Sequence, residues 1–280
     1  MTSKPGLMRR RLNWAYLSRA ISQLLFLGII IWVAQQMLAG VRGATIEKYC
    51  PFGGIETLIP WINKTGTLCS LSTMNISIMA GVLIITLLFK RVFCSHICPV
   101  GAISEWIAML GRRVPFGHRV VARRVDRPLK WLKYPLLGVL LYFTVRVGEL
   151  VFREVDPYYV LFSLGKAHGI ADGPIGVGAI SLWITIGLLL IGLIIPLLFC
   201  RYLCPLAACL TPFSRLGFVR IHRDEGQCTK CGECDKACDW GVSVSDVGVV
   251  SDGECSNCQE CIRACPVAGV LTLRVRGRVR

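Results

Sequence analysis

The sequence predicts a mainly α-helical protein with a four-helix transmembrane domain, built from a parallel two-helix internal repeat, followed by a small α+β domain. Three observations predict this architecture. Four apolar blocks lie in the first 200 residues, a cysteine-proline motif occurs twice at an offset of 106 residues, and two equally spaced cysteine runs lie after residue 220. We expect the membrane domain at 1–219, with repeat copies at about 12–117 and 118–219, and the second domain at 220–280.

The apolar blocks predict membrane crossings at residues 21–39, 72–89, 131–148 and 178–199. A helix needs about 20 apolar residues to cross about 30 Å of hydrocarbon. The chain is 54% hydrophobic with a mean hydropathy of +0.57, which is not typical of a soluble protein. A secretory signal is the alternative for the first block, with Ala39 as a candidate cleavage site. The block is longer than a typical signal core, which favours a crossing.

The basic residues predict the orientation. Of 32 lysines and arginines, five precede residue 20, ten lie from Lys90 to Lys133 and eleven follow from Arg201 onward. The positive-inside rule then places both termini and the C-terminal domain in the cytoplasm of a multi-pass protein of the bacterial cytoplasmic membrane. We interpret these residues as topology signals and anionic-lipid contacts. Because they flank the spans, the net charge of +15 does not predict a nucleic-acid partner.

Eight cysteines near the C-terminus predict two iron–sulfur clusters. They form two runs of the spacing C-x2-C-x2-C-x3-C. Three cysteines at intervals of three surround one cubane, and the fourth reaches the neighbouring cluster, as in bacterial two-cluster ferredoxins. We therefore expect one 4Fe-4S cluster on Cys228, Cys231, Cys234 and Cys265, and a second on Cys255, Cys258, Cys261 and Cys238. Zinc knuckles or a disulfide scaffold are the alternatives, and neither explains the duplicated fourth cysteine.

The repeated motif indicates an internal duplication. The segment Phe93-Cys94-x3-Cys98-Pro99 recurs as Phe199-Cys200-x3-Cys204-Pro205. Each copy contains two crossings, so the copies run parallel about an axis along the membrane normal. Cysteines four apart share a helix face. We therefore expect a third iron–sulfur or metal centre on Cys94, Cys98, Cys200 and Cys204 at the cytoplasmic helix ends, with unligated packing thiols as the alternative.

The same offset aligns Cys50-Pro51-Phe52 with Asp156-Pro157-Tyr158 in the loops predicted to lie outside the membrane. We expect the segments Cys50–Glu56 and Asp156–Tyr159 to face each other around the pseudo-twofold axis, as a cofactor site or a docking surface for an outer partner, with Cys50, Cys69 and Asp156 as candidate site residues. Two alternatives remain open. The segments are proline turns that cap the helices, or Cys50 and Cys69 form a disulfide.

Together these motifs resemble the polytopic membrane ferredoxins that include the NapH, NosR and CcoG proteins. The resemblance rests on the paired C-x3-C-P motifs, on residues 50–54 and on the two C-terminal cysteine runs, so it covers nearly the whole chain. We expect neither the flavin-binding domain of NosR nor the sandwich domain of CcoG, which makes NapH the nearer likeness. In NapH-like proteins the implied role is electron transfer between the quinone pool and a partner redox protein.

We therefore expect a membrane-bound electron-transfer subunit, such as the quinol dehydrogenase part of a complex, with quinone and a redox protein as partners. No catalytic residue is indicated. The alternative is a maturation or regulatory factor that reduces a metal or cofactor during assembly of another enzyme. A third interpretation is a structural subunit whose clusters are one segment of a larger electron path.

Overall fold

The computed structural model describes residues 14–41, 46–55, 72–114, 121–147, 156–163 and 177–275, and most of these residues are helical, as predicted. Cys69 lies outside these ranges. In the N-terminal part the helices are α1 (Trp14–Leu38), α2 (Ser72–Phe89), α3 (Val92–His96), α4 (Pro99–Gly111), α5 (Arg123–Leu129), α6 (Lys133–Val147), α7 (Pro157–Phe162), α8 (Val177–Ile191) and α9 (Pro205–Leu216). A 3-10 turn covers Ile46–Tyr49, and a π-helix covers Phe199–Leu203.

One helix in the described ranges, α1, is both long and apolar enough to cross a membrane. Its 25 residues span about 38 Å at 1.5 Å per residue. The helices in the other three predicted crossings, α2, α6 and α8, have 18, 15 and 15 residues. Apolar side chains on α1 and α8 point outward, with Trp32 60% and Trp183 67% exposed. Such surfaces suit lipid, while the four full crossings stay a prediction.

Contacts between the two predicted repeat copies are reciprocal. A side chain at Gly111 would lie 2.2 Å from the carbonyl oxygen of Leu193, so only glycine fits there. In the other copy Gly217 is the equivalent of Gly111, and the next residue, Phe218, donates its N–H to the carbonyl of Leu87 at 3.1 Å. Leu87 and Leu193 are separated by the repeat offset of 106. Two copies packed about a twofold axis make contacts of this kind.

The C-terminal part is a two-stranded antiparallel sheet with two cysteine loops between its strands. Strand β1 (Val219–Arg223) pairs with β2 (Leu271–Val275), and Ile221 lies opposite Leu273. Two short helices follow the loops, α10 (Glu233–Lys236) and α11 (Glu260–Ala264). One apolar core runs from the N-terminal helices into this part. The start of β1 lies beside the predicted domain boundary, but the two parts do not have separate cores.

Many basic residues of the N-terminal part bind the C-terminal part, although the sequence suggested lipid contacts for them. Arg19 forms an ion pair with Glu260 at 2.6 Å, and Arg112 with Asp239 at 2.5 Å. Lys90 Nζ donates to the carbonyl of Asp252 at 2.7 Å. Buried charges need paired partners, so these residues attach the cysteine loops to the helices.

Candidate functional site

The two C-x3-C-P motifs have the same local geometry. A left-handed residue precedes each motif, Lys90 at φ 63° four residues before Cys94 and Leu197 at φ 55° three residues before Cys200. Cys98 (φ −66°, ψ 118°) and Cys204 (φ −67°, ψ 116°) then leave the helical region and cap the next helix. The proline after each cysteine causes this, because proline disfavours a helical conformation in the preceding residue and suits the first helical position.

The structure brings all four cysteines of these motifs to one cavity of about 320 Å³. Its wall is mostly apolar and includes Phe26 and Ile30 of α1. Cys50 and Asp156 also line this cavity. Four thiols around one such space are a donor set that fits an iron–sulfur centre, since thiolates are the ligands of 4Fe-4S clusters. Among the described residues, no group of three or more His, Cys, Asp or Glu side chains is arranged to hold a single metal ion.

Cys50 and Asp156 contact each other, with 3.5 Å between Sγ and Oδ2. They are equivalent positions of the predicted repeat, so a contact between them lies on the pseudo-twofold axis. Asp156 also caps α7, because its Oδ1 accepts the Tyr158 N–H at 3.0 Å. Burial raises the pKa of the Asp156 carboxyl to about 6.

The expected separation of these segments from the C-x3-C-P motifs is wrong. The sequence placed Cys50 and Asp156 outside the membrane and the four motif cysteines at its inner face, whereas all six residues line one cavity. The apolar side chains beside the prolines account for the difference. Phe52 is 2% exposed and Tyr158 is 7% exposed, so both segments fold into the core instead of capping the helices from outside.

The motif thiols lie close together in a buried environment. Burial raises the pKa of Cys98, and the neighbouring Cys94 and Cys200 thiolates raise it further. Burial likewise raises the pKa of Cys200 and Cys204. Thiolates in such a place need a compensating positive group, and a bound metal centre supplies one.

The two C-terminal cysteine loops share an unusual backbone path. In the first loop, Lys230 (φ 54°) and Gly232 (φ 73°) are left-handed. In the second, Asn257 (φ 52°) and Gln259 (φ 62°) are left-handed at the same positions of the motif. Each loop thus turns tightly around its second cysteine and then enters a short helix.

The fourth cysteine of each run lies beside the other run. Cys265 lines a pocket together with Cys228, Cys231 and Cys234. Burial raises the pKa of Cys238 to about 12, and the nearby Cys255 thiolate also raises it. Cys238 in turn raises the pKa of Cys258, for which burial is the largest cause. Cys265 thus lies beside the first run and Cys238 beside the second, while crossed ligation stays a prediction.

The surroundings of the cysteines contain functional residues that the sequence did not indicate. Arg91 precedes the first motif and Glu254 precedes the second loop, and they form an ion pair at 2.6 Å. Their positions near motif cysteines could have marked them as candidate site residues. The sequence contains no pattern that pairs two residues so far apart.

Two comparisons describe known relatives of the chain. A family described as a 4Fe-4S binding domain matches twice, over residues 71–117 and 176–222. YccM of Escherichia coli, whose name assigns it to electron transport, is 31% identical over 98% of this chain and 81% of its own length. The ferredoxin-type protein NapH of the same organism is 24% identical over 64% of this chain and 61% of its own.

The regulatory protein NosR of Pseudomonas aeruginosa is 27% identical over 54% of this chain and 20% of its own length. No solved structure matches.

Proposed function

Because the chain belongs to the NapH-like family of ferredoxin-type 4Fe-4S membrane proteins, we propose that it passes single electrons between the quinone pool and a partner redox protein. The electron-transfer class and the iron–sulfur cofactor follow from the family. Quinone, the partner and the individual cluster ligands are our proposals. The observation that carries them is one continuous core that joins the cysteine cavity to both C-terminal cysteine loops.

We assign two 4Fe-4S clusters to the C-terminal loops with crossed ligands. The first set is Cys228, Cys231, Cys234 and Cys265, and the second is Cys255, Cys258, Cys261 and Cys238. The shared pocket of the first set and the proximity of Cys238 to Cys255 support this assignment. Such clusters carry one electron at a time at a potential that depends on charge, hydrogen bonds and exposure.

A third centre at Cys94, Cys98, Cys200 and Cys204 extends the electron path into the membrane part. Four thiols around one cavity support it. When bound, an iron–sulfur centre there supplies a one-electron site near the apolar phase in which quinone dissolves. The role of the protein is to hold the four sulfurs and to keep water away with apolar residues such as Phe26 and Ile30.

Exposure sets the proposed order of transfer. Cys255 is 7% exposed and Cys261 is 6% exposed, whereas Cys231 of the other loop is an exposed residue. The Cys255 loop is also hydrogen-bonded to the helices that carry the motif cysteines, because Ser95 Oγ donates to the carbonyl of Ser256 at 3.1 Å, so we place its cluster between the cavity and the Cys228 loop. A quinol that becomes a quinone releases two electrons and two protons, so the electrons would leave singly through the cavity and the Cys255 loop to a partner at the Cys228 loop. The reverse direction uses the same path.

We also propose four membrane crossings with both termini in the cytoplasm of a bacterial cell. The outward apolar surfaces of α1 and α8 support crossing, and the distribution of basic residues supports the orientation. Reporter fusions after residues 117 and 170 should show cytoplasmic and outer locations respectively.

Reduction of the purified full-length protein by a short-chain quinol tests the function. We expect the quinol to reduce the iron–sulfur centres, and iron analysis to exceed about eight atoms per chain, the content of two cubanes. A variant with alanine at Cys94, Cys98, Cys200 and Cys204 should lose only the excess iron and the reduction by quinol. Cys209→Ala is the matched control, because Cys209 lies outside the lining of the cavity. An iron content of eight in both proteins would leave the four cysteines as packing thiols.

A regulatory or assembly factor is the second candidate, and the similarity to NosR, a regulatory protein, favours it. This reading predicts that quinol does not reduce the clusters, while a strong chemical reductant does. A redox protein that co-purifies in a fixed ratio would instead support the respiratory role.

A further inference from the structure

Arg91 occupies a position that the C-x3-C-P motif alone does not explain. It follows the left-handed residue Lys90 and lies three residues before Cys94, and its side chain is fully buried. It lines the cavity that contains the four motif cysteines. Among the described residues that line this cavity, Arg91 is the only one with a cationic side chain.

The guanidinium group of Arg91 is only partly used by the protein. Nη1 forms an ion pair with Glu254 Oε2 at 2.6 Å. Nε and Nη2 are buried and have no hydrogen-bond partner within the described ranges. A buried donor without a partner costs about 1–3 kcal/mol, and more when it is charged. Two such donors on one cavity-lining side chain, which also interacts with the sulfurs of Cys94 and Cys204, are available to an anionic ligand in the cavity.

Arg91 also contacts the C-terminal part. The Arg91 Cζ lies 5.0 Å from the centre of the Trp240 ring, and Trp240 is two residues from Cys238. Glu254, the ion-pair partner, directly precedes Cys255. The same side chain thus touches the wall of the cavity and two residues next to the ligands proposed for one cubane.

The positive charge of Arg91 lies in one of the two predicted repeat copies and has no equivalent in the other. The repeat offset of 106 aligns Arg91 with Leu197, which is apolar and buried. The four cysteines are duplicated but the arginine is not. A residue needed only to complete the cysteine motif would occur in both copies, so Arg91 has a task that concerns the side facing Cys238 and Cys255.

We propose that Arg91 is a positioning residue that donates hydrogen bonds to an anionic iron–sulfur centre on the four motif cysteines, and that it links this centre to the Cys238–Cys255 cluster. This inference rests on the third centre of the proposed function. Reduction adds one negative charge to a centre, so a neighbouring cation stabilises the reduced form and raises the potential. Arg91 therefore favours an electron on the cavity centre, and it does so on the side that faces the C-terminal clusters.

The test is a redox titration of the purified full-length protein, monitored by electron paramagnetic resonance. In Arg91→Gln the equilibrium constant for reduction of the cavity centre should fall at least tenfold. This corresponds to a potential lower by about 59 mV for a one-electron couple. Arg91→Lys keeps the charge and should shift it much less. Arg112→Gln is the matched control, because Arg112 pairs with Asp239 beside Cys238 but does not line the cavity.

Loss of folding is separated from the proposed effect by a double variant. Arg91→Gln leaves Glu254 paired with Lys133, whereas Arg91→Gln/Glu254→Gln removes both charges of the Arg91–Glu254 pair while Lys133 keeps its hydrogen bond to Thr211 Oγ1 at 3.2 Å. The double variant should show the same shift of the cavity centre, and Glu254→Gln alone should not lower its potential.

An unchanged potential in Arg91→Gln, with all three signals present, would overturn the role of Arg91. Loss of the cavity signal in both Arg91→Gln and Arg91→Lys would show a purely structural role and would also overturn it. A wild-type protein with two cubane signals and about eight iron atoms would instead refute the third centre itself.

Discussion

The two C-terminal cysteine loops have left-handed residues at the same positions but differ in how deeply they are buried, although the Cys228 run is also attached to the helices through Arg112 and Asp239. The Cys255 loop is bound to the N-terminal helices: Asn257 Nδ2 donates to the carbonyl of Phe89 at 2.9 Å, and Ser95 Oγ donates to the carbonyl of Ser256 at 3.1 Å. The Cys228 loop is open, with Cys231 exposed. The comparison shows that spacing determines the shape of a cluster loop, whereas the packing around it determines how far water reaches.

The thiols of the loops reflect this difference. Burial raises the pKa of Cys255 and of Cys258. In the open loop, the Lys230 N–H and then the Arg223 side chain lower the pKa of Cys228. Solvent exposure and hydrogen bonds to sulfur are two of the factors that set cluster potentials. We therefore expect the two C-terminal clusters to have different potentials despite their identical motifs.

The largest expected effect is the loss of one cluster. Cys228→Ser and Cys265→Ser should each remove the same cubane signal and about four iron atoms, because Cys228 and Cys265 are ligands of one cluster. Cys255→Ser and Cys238→Ser should both remove the other signal. Electron paramagnetic resonance after redox titration, together with iron analysis, measures this.

Cys209→Ser is the control, and it should retain all signals, because Cys209 belongs to neither set. If Cys228→Ser and Cys265→Ser removed different signals, each cluster would use the four cysteines of one run, and the crossed ligation would be wrong.

The next effect concerns the attachment of the buried loop. Glu254→Ala leaves Arg91 and Lys133 without their shared carboxylate, and both basic side chains are fully buried. Removing one partner of a buried ion pair costs about 3–5 kcal/mol. We expect a large decrease in the free energy of unfolding, measured by denaturation in detergent, and release of iron from the Cys255 cluster at lower denaturant than in wild type.

The matched change in the open loop is Glu225→Ala. The Glu225 side chain is 71% exposed and pairs with Arg223 at 3.2 Å. Exposed pairs contribute little, so this variant should be as stable as wild type. Equal decreases in the free energy of unfolding of the two variants would contradict the contrast between a bound loop and an open loop.

Part of this organisation could be predicted from the sequence. The family resemblance, the mainly helical fold and the iron–sulfur cofactor are confirmed. Repeat arithmetic alone also paired Cys50 with Asp156, because equivalent positions meet at an axis. The confirmed predictions rest on local information, since a cysteine spacing carries its own geometry, and the repeat offset agrees with the 3.5 Å contact between Cys50 and Asp156.

The rest depends on packing between distant segments. The Arg91–Glu254 pair joins residues 163 positions apart, and no local pattern marks it. The inward folding of the Cys50 and Asp156 segments was missed for the same reason. Their prolines and polar residues are typical of exposed turns, and only the burial of Phe52 and Tyr158 in the core reverses that expectation.

The smallest effect compares the left-handed residue before the short helix in each loop. Gly232 has φ 73°, and an added Cβ would have no atom within 4 Å, so Gly232→Ala adds backbone strain without a clash. The left-handed conformation costs a non-glycine residue about 1–2 kcal/mol, and we expect a loss of that size in the free energy of unfolding.

Gln259 already bears this cost at φ 62°. Gln259→Gly removes it but makes the unfolded chain more flexible, which offsets about 0.4–1 kcal/mol, so the net gain should be small. Denaturation of both variants, with the cluster signals as a check on assembly, tests the shared loop geometry. Destabilisation by Gln259→Gly as large as that by Gly232→Ala would show that the Gln259 side chain, and not the backbone turn, is what the buried loop requires.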